Sequence, residues 1–257
     1  MIIPIHPMLP RADRLRQYAP EIYGNEIATY RSTYTEKVPG MPQIILVEQP
    51  APGSTLLPHY HASDQFQVFM DGDGLLGKHP LNPVSVHYTN KFTGYGPIVA
   101  GDAGVSYYVL RPAPDPLGPG QYLHHPELRE QAKRYTGKRR TLVADGIVID
   151  TPAQLRALDA SSAQRLFEVP ATEPDAGTFA EVLRLSPGAR HTGADPRSGG
   201  GQVYLVMQGT CLYDGQSLGC RAAIAVTRDE APLEFTAGRD GAQLLVMQYP
   251  VPRQNDA

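Results

Sequence analysis

The sequence predicts an all-β protein built from two copies of one domain. Three observations lead there: a turn-rich composition, short segments of alternating residues, and an internal repeat. The chain of 257 residues holds 25 Gly, 25 Pro and 14 Tyr but no Trp, a balance that favours many short strands joined by turns. The segments `QFQVFMDG` (65–72) and `QVYLVMQG` (202–209) each run from Gln through strand-like residues to Gly. The interval from Gly72 to Ala100-Gly101 equals that from Gly209 to Ala237-Gly238, and each pair opens a closing strand, `VSYYVLRP` or `AQLLVMQYP`. One ungapped offset of 137 residues aligns all of these pieces. The boundaries follow as residues 1–140 for an N-terminal domain with its linker and 141–257 for a C-terminal one.

Between the copies, Pro126 followed by `ELREQAKRY` predicts a helix with Pro in its first turn, closed near Gly137. Its Arg and Lys residues read as a solvated face, with an anion patch as the sharper alternative. A second short helix is expected over `TPAQLRALDA`, with Thr151 as N-cap and Pro152 at N1. Residues 1–24 read as irregular chain packing across a neighbouring domain or subunit.

Charge and composition narrow the function classes. A net charge of −3 gives no electrostatic reason to expect nucleic acid or an anionic membrane. No apolar run approaches the ~18 residues of a membrane span, and the start `MIIPIHPMLPRADR` lacks the basic and apolar regions of a signal peptide. Two cysteines, Cys211 and Cys220, are too few for a disulfide framework; two free thiols are favoured over a cross-hairpin bond. A soluble, cytoplasmic protein is expected.

The stretch `PGSTLLPHYHASDQFQVFMDG` carries the chemistry. On a strand His59 and His61 project the same way, so their imidazoles can converge on one point. Two ligands alone do not make a site. Gln65 shares a face with Gln67 and Phe69. In `VSVHYT`, Ser85, His87 and Thr89 share one face, which lies either in the interior or in solvent. At the repeat offset those three become Ala222, Ile224 and Val226, and no His-x-His precedes Gln202, only His191. The second copy therefore reads as scaffold with a closed apolar interior, and the first as the copy that keeps a polar one. His124 and His125, ahead of the linker helix, read as exposed.

The spacing Gly53-x5-His59-x-His61-x3-Gln65-x6-Gly72 resembles the first motif of the cupin superfamily, with Gln65 where that motif has Glu. The family's second His finds its nearest equivalent in Tyr95, within `VHYTNKFTGYGPIVAG`. The resemblance implies two double-stranded β-helix (jelly-roll) barrels in tandem, a bicupin. It also implies a divalent transition metal (Fe, Mn, Ni, Zn or Cu) held by His59, His61 and Gln65; either His87, from the polar strand face, or Tyr95 would complete the site, and Tyr95 and Gln67 are the candidate catalytic residues. Gln65 can equally be a substrate hydrogen-bond partner or the mark of a lost metal, and Tyr95 an ordinary loop aromatic. A dication on neutral ligands would favour an anionic substrate such as a carboxylate, enolate or phenolate. Two functions follow: a metal-dependent oxygenase or isomerase, or a bicupin that binds a small molecule without turnover. A homodimer is expected in either case.

Overall fold

The repeat returns as structure in the central strands of each unit. The computed structural model describes residues 2–5, 15–17, 29–33, 40, 42–82, 84–118 and 120–252. In it strand β7 spans Gln65–Leu76 and its counterpart β16 spans Gln202–Tyr213, again offset by 137 residues. The closing strands β10 (Ile98–Arg111) and β19 (Glu234–Gln248) pair with them antiparallel. Each pairing is broken by register shifts, and glycine explains why. Gly72 (φ +83°) and Gly209 (φ +76°) lie against the carbonyls of Gly104 and Gly241, where a Cβ would collide with backbone. Only glycine fits such an approach at positive φ.

The chain divides into two compact units. The N-terminal unit lies within Leu9–Ile147; the C-terminal unit combines Met1–Met8 with Val148–Ala257. In the N-terminal unit one antiparallel sheet has the order β12-β9-β7-β10-β4-β3-β2. Besides β7 and β10 it contains β2 (Leu15–Gln17), β3 (Thr29–Thr33), β4 (Gln43–Gln49), β9 (Ser85–Thr89) and β12 (Thr141–Ala144). The short strands β5 (Thr55–Leu56) and β8 (His79–Leu81) add to β10 and β7. A separate pair joins β6 (His59–Tyr60) to β11 (Gln121–Tyr122). Ile45, Val47, Phe69, Tyr107 and Val109 point inward and pack with Leu76, Leu81 and Ile98 into one buried core.

The C-terminal sheet runs β1-β18-β16-β19-β14-β13. Its strands are β1 (Ile2–Ile5), β13 (Ser162–Glu168), β14 (Phe179–Leu185) and β18 (Ala223–Val226), beside β16 and β19. β15 (Arg190–Thr192) and β17 (Gln216–Leu218) pair with β19 and β16. Ile2–Ile5 is therefore not irregular chain: it covers the edge of the apolar strand β18, with Ile2 opposite Val226. Leu15–Gln17 is likewise a strand, and the rest of the N-terminal 24 residues lies outside the described ones.

Both expected helices form and are shorter than expected. α1 covers Pro126–Arg134 with Pro at its start, and α2 covers Pro152–Arg156. In α2 the Thr151 hydroxyl accepts from the Gln154 amide while the Gln154 side chain accepts from the Thr151 N–H, a reciprocal cap. Among the described residues, no helix is long and apolar enough to cross a membrane.

Candidate functional site

Strand alternation and register decide which side chains face the N-terminal interior. Gln65, Gln67 and Phe69 on β7 stand opposite Thr89, His87 and Ser85 on β9. Directly opposite residues share a face, so His87 is an interior residue, 2% exposed. Its Nδ1 lies 3.0 Å from Gln67 Oε1, an acceptor, so Nδ1 carries the proton. Burial, reinforced by His79, pushes the His87 pKa down to about 3 and keeps the ring neutral.

His59 and His61 are buried with ring centroids 5.1 Å apart, while Tyr60 between them packs against Phe92. His59 Nδ1 sits 2.7 Å from the Leu57 carbonyl and must donate to it. Its Nε2 is then an acceptor, and it takes the Tyr95 hydroxyl at 2.7 Å. Tyr95 is no ordinary loop aromatic. Its ring centroid lies 4.5, 6.4 and 5.7 Å from those of His59, His61 and His87, so three imidazoles surround one phenol. Gly120 backs onto His59: a Cβ there would stand 2.6 Å from His59 Cδ2.

The centre of the site is a residue that the sequence reading did not single out. Arg111, at the end of β10 and 2% exposed, donates from Nη1 to Gln43 Oε1 at 2.6 Å. Its Nε and Nη2 donate to Gln65 Oε1 at 3.2 and 3.1 Å. Nη2 also lies 3.0 Å from His61 Nε2. A guanidinium has donors only, so His61 Nε2 accepts and His61 Nδ1–H donates to Asp115 Oδ2 at 2.6 Å. Burial raises the Asp115 carboxyl; the Leu117 amide, the Arg111 charge and the Ala62 amide oppose that rise. One signal for Arg111 was available: it lies inward with Tyr107 and Val109, 137 residues before Gln248. Asp115, in a proline-rich loop, carried none.

A metal needs several lone pairs aimed at one point. Here the lone pair of His59 Nε2 is directed at Tyr95, those of His61 Nε2 and Gln65 Oε1 at Arg111, and His87 Nε2 lies 3.2 Å from the Thr89 hydroxyl. Among the described residues, no group of three or more His, Cys, Asp or Glu is arranged to hold a metal ion. A dication ~4 Å from the guanidinium would be repelled by on the order of 8 kcal/mol at an effective dielectric near 20. The residues as arranged do not fit a metal.

The C-terminal unit shows the same positions without charge. Gln202 Nε2 donates to Gln248 Oε1 at 2.7 Å and to the Ala194 carbonyl at 3.0 Å. Its Oε1 accepts the Tyr204 hydroxyl at 2.8 Å. Ala222, Ile224 and Val226 are buried in the apolar core beside Leu244 and Val246. The second interior is closed and hydrogen-bond-satisfied at this point. His191 stacks near Phe235, at 5.3 Å between ring centroids, on the short strand β15.

No family model matches the chain, and no curated protein does. Solved structures match it along its length. A protein from Nostoc punctiforme named as a candidate dioxygenase aligns at a TM-score of 0.59 and 14% identity, covering 100% of this chain and 81% of that one. A nickel(II) complex of a bacterial pirin from Escherichia coli aligns at 0.54 and 12%, covering 98% and 100%. The formate complex of oxalate decarboxylase from Lactobacillus farciminis aligns at 0.54 and 10%, covering 98% and 90%. At such identities the likeness shows the fold. The chain has the fold of these cupin structures, two tandem jelly-roll units.

Proposed function

We propose that the N-terminal unit binds a small organic anion, a carboxylate or phenolate, in its polar interior. One observation carries this reading. The Gln65 side-chain nitrogen and the Ser85 hydroxyl are buried with no hydrogen-bond partner, on the face that also holds the Arg111 guanidinium. An unpaired buried donor costs about 1–3 kcal/mol, a cost that an incoming acceptor relieves. The orphaned Gln65 donor beside a permanent cation selects an anion over a neutral molecule, and Ser85, level with Phe69 further along β9, adds a second donor on the same face. Without a metal geometry, the reading favoured here is a metabolite-binding bicupin rather than a metalloenzyme. It would be a cytoplasmic homodimer.

A second reading keeps the enzyme. The ring of His59, His61 and His87 around Tyr95 offers acid–base groups at one point, and structural neighbours include an oxalate decarboxylase and a candidate dioxygenase. A metal-dependent oxygenase or isomerase would require Arg111 to leave His61 and Gln65.

Thermal shift and calorimetry of untagged protein test the first reading, using a panel of small carboxylates and phenols with their neutral amides and ethers. Stabilisation by the anions, absent with the neutral partners and weakened in Gln65→Leu, is the expected result. An anion at 100 times its Kd adds about 2.7 kcal/mol of stability. Equal response to charged and neutral compounds, or none to either, would sink the reading.

A further inference from the structure

The N-terminal interior contains a cation of its own. We propose that Arg111 is a guanidinium built into the metal position of a cupin, and that replacing it with a neutral side chain turns this unit into a metal-binding one. The inference concerns the same site as the proposed function but does not depend on the bound molecule being an anion.

Three observations carry it. The first is occupancy of the donor atoms: His61 Nε2 and Gln65 Oε1, two of the atoms that the His-x-His motif assigns to a metal, both accept from Arg111. The second is orientation. Asp115 holds His61 by Nδ1, the way a carboxylate fixes a metal-bound imidazole, yet the lone pair so aimed ends on a guanidinium. The arginine fork cannot lose its proton in a protein, so the positive charge is permanent and excludes a second cation from the same atoms. The third is the repeat. The residue equivalent to Arg111 is Gln248, and its side chain again bonds the equivalent of Gln65, which is Gln202. The residue facing it across the sheet is Gln43 in one unit and Phe179 in the other. In both units, then, the closing strand bonds the side chain at the motif position, as donor to the Gln65 oxygen from Arg111 and as acceptor from the Gln202 nitrogen at Gln248. Only the N-terminal partner is charged, and only there does a third acceptor, Gln43, take part.

Gln65 gains a physical reason from this arrangement. Its oxygen receives Nε and Nη2 together while its nitrogen stays unpartnered, so the amide is turned with its acceptor toward Arg111. The neutral amide at this position serves the guanidinium rather than tuning a metal.

The test is a metal titration of untagged, chelator-stripped full-length protein with Co2+ and Ni2+. It is read by elemental analysis after dialysis and by the visible spectrum of bound cobalt. The variants are Arg111→Gln, which copies the side chain found at Gln248, and Arg111→Gln with His61→Ala. The parent should hold substoichiometric metal, Arg111→Gln about one ion per chain, and the double variant none. Folding of each is checked by circular dichroism. Stoichiometric metal on the parent that disappears in His61→Ala alone would overturn the proposal, and this comparison stands even if the Arg111 variants do not fold. A folded Arg111→Gln that binds no metal overturns it as well. Failure of the anion panel with this pattern intact would leave Arg111 in its role and remove only the proposed ligand.

Discussion

The Tyr95 hydroxyl donates to His59 Nε2 across 2.7 Å, and the Leu57 carbonyl holds the far side of the same ring at 2.7 Å. The ring is thereby fixed in one tautomer between a phenol and the backbone. Tyr95→Phe removes one buried hydrogen bond to His59 Nε2, so a loss of about 0.5–1.5 kcal/mol is expected in urea denaturation. Gly120→Ala should cost a similar amount by driving a methyl group onto the ring. If neither variant moves the midpoint, His59 is not held as described.

The two units should respond differently to equivalent changes. His59→Ala with His61→Ala should abolish anion binding while the sheets still form, because these residues lie at the polar end of the core. Gln202→Ala breaks the links to Gln248, Tyr204 and Ala194 and should destabilise by about 1–3 kcal/mol without changing anion affinity. Anion binding that depends on Gln202 or His191 would reverse the assignment of roles.

His87 gives a pH dependence with a definite sign. Its pKa is about 3 in the fold, against ~6.5 in an unfolded chain. Between those values the unfolded chain binds the extra proton. The associated stability is therefore complete above pH ~6.5 and falls by up to about 1.4 kcal/mol per pH unit on acidification toward pH 3. His87→Gln, which keeps a neutral polar group beside Gln67, should flatten this component, by about 2 kcal/mol at pH 5 relative to the parent. Urea titrations of both proteins at pH 5 and 7.5 give the comparison; parallel pH profiles would show that His87 is not the neutral buried group.

The cysteines are both free, as the composition suggested, and their environments separate them. Burial raises the Cys211 thiol to about 11, whereas Cys220 is exposed. One thiol per chain should react with a disulfide reagent in native buffer, and the second only after denaturation. Two equally fast thiols would place Cys211 elsewhere.

The dimer is a matter for light scattering at micromolar concentration. The C-terminal sheet ends in β13, whose residues 162–165 are exposed and which carries Arg165 and Glu168. Charged residues on an edge strand discourage edge pairing, so a dimer interface is expected away from this strand. Arg165→Val with Glu168→Val should then leave a dimer a dimer. A monomeric parent would remove the expectation.

Much of this fold was legible because its signals are local or periodic. Gly72 and Gly209 announce the repeat since no other residue tolerates their backbone approach. The contrast between Ser85-x-His87-x-Thr89 and Ala222-x-Ile224-x-Val226 put Ser85, His87 and Thr89 on one face, because a strand's period of two fixes which residues share a face; the register with Gln67 shows that this face is the interior one. Thr151, Pro152 and Gln154 specify a helix start within four residues.

What the sequence determined by itself is therefore the repeat, which residues share a strand face and the contrast between the two copies. What only the tertiary structure decided is which atoms meet. Arg111 reaches Gln43, His61 and Gln65 because β4 and β7 both pair with β10, setting Gln43 opposite it and the start of β7 beside it, while His61 comes within 3.0 Å from outside these strands. Asp115 comes from a loop with no periodicity at all, yet it sets the tautomer of His61. The pairing of Ile2–Ile5 with Ala223–Val226 joins opposite ends of the chain. The spacing of His59, His61 and Gln65 names possible ligands. Whether a metal or a guanidinium receives the lone pairs of His61 and Gln65 depends on a charge that lies fifty residues from His61 in sequence and 3.0 Å from it in space.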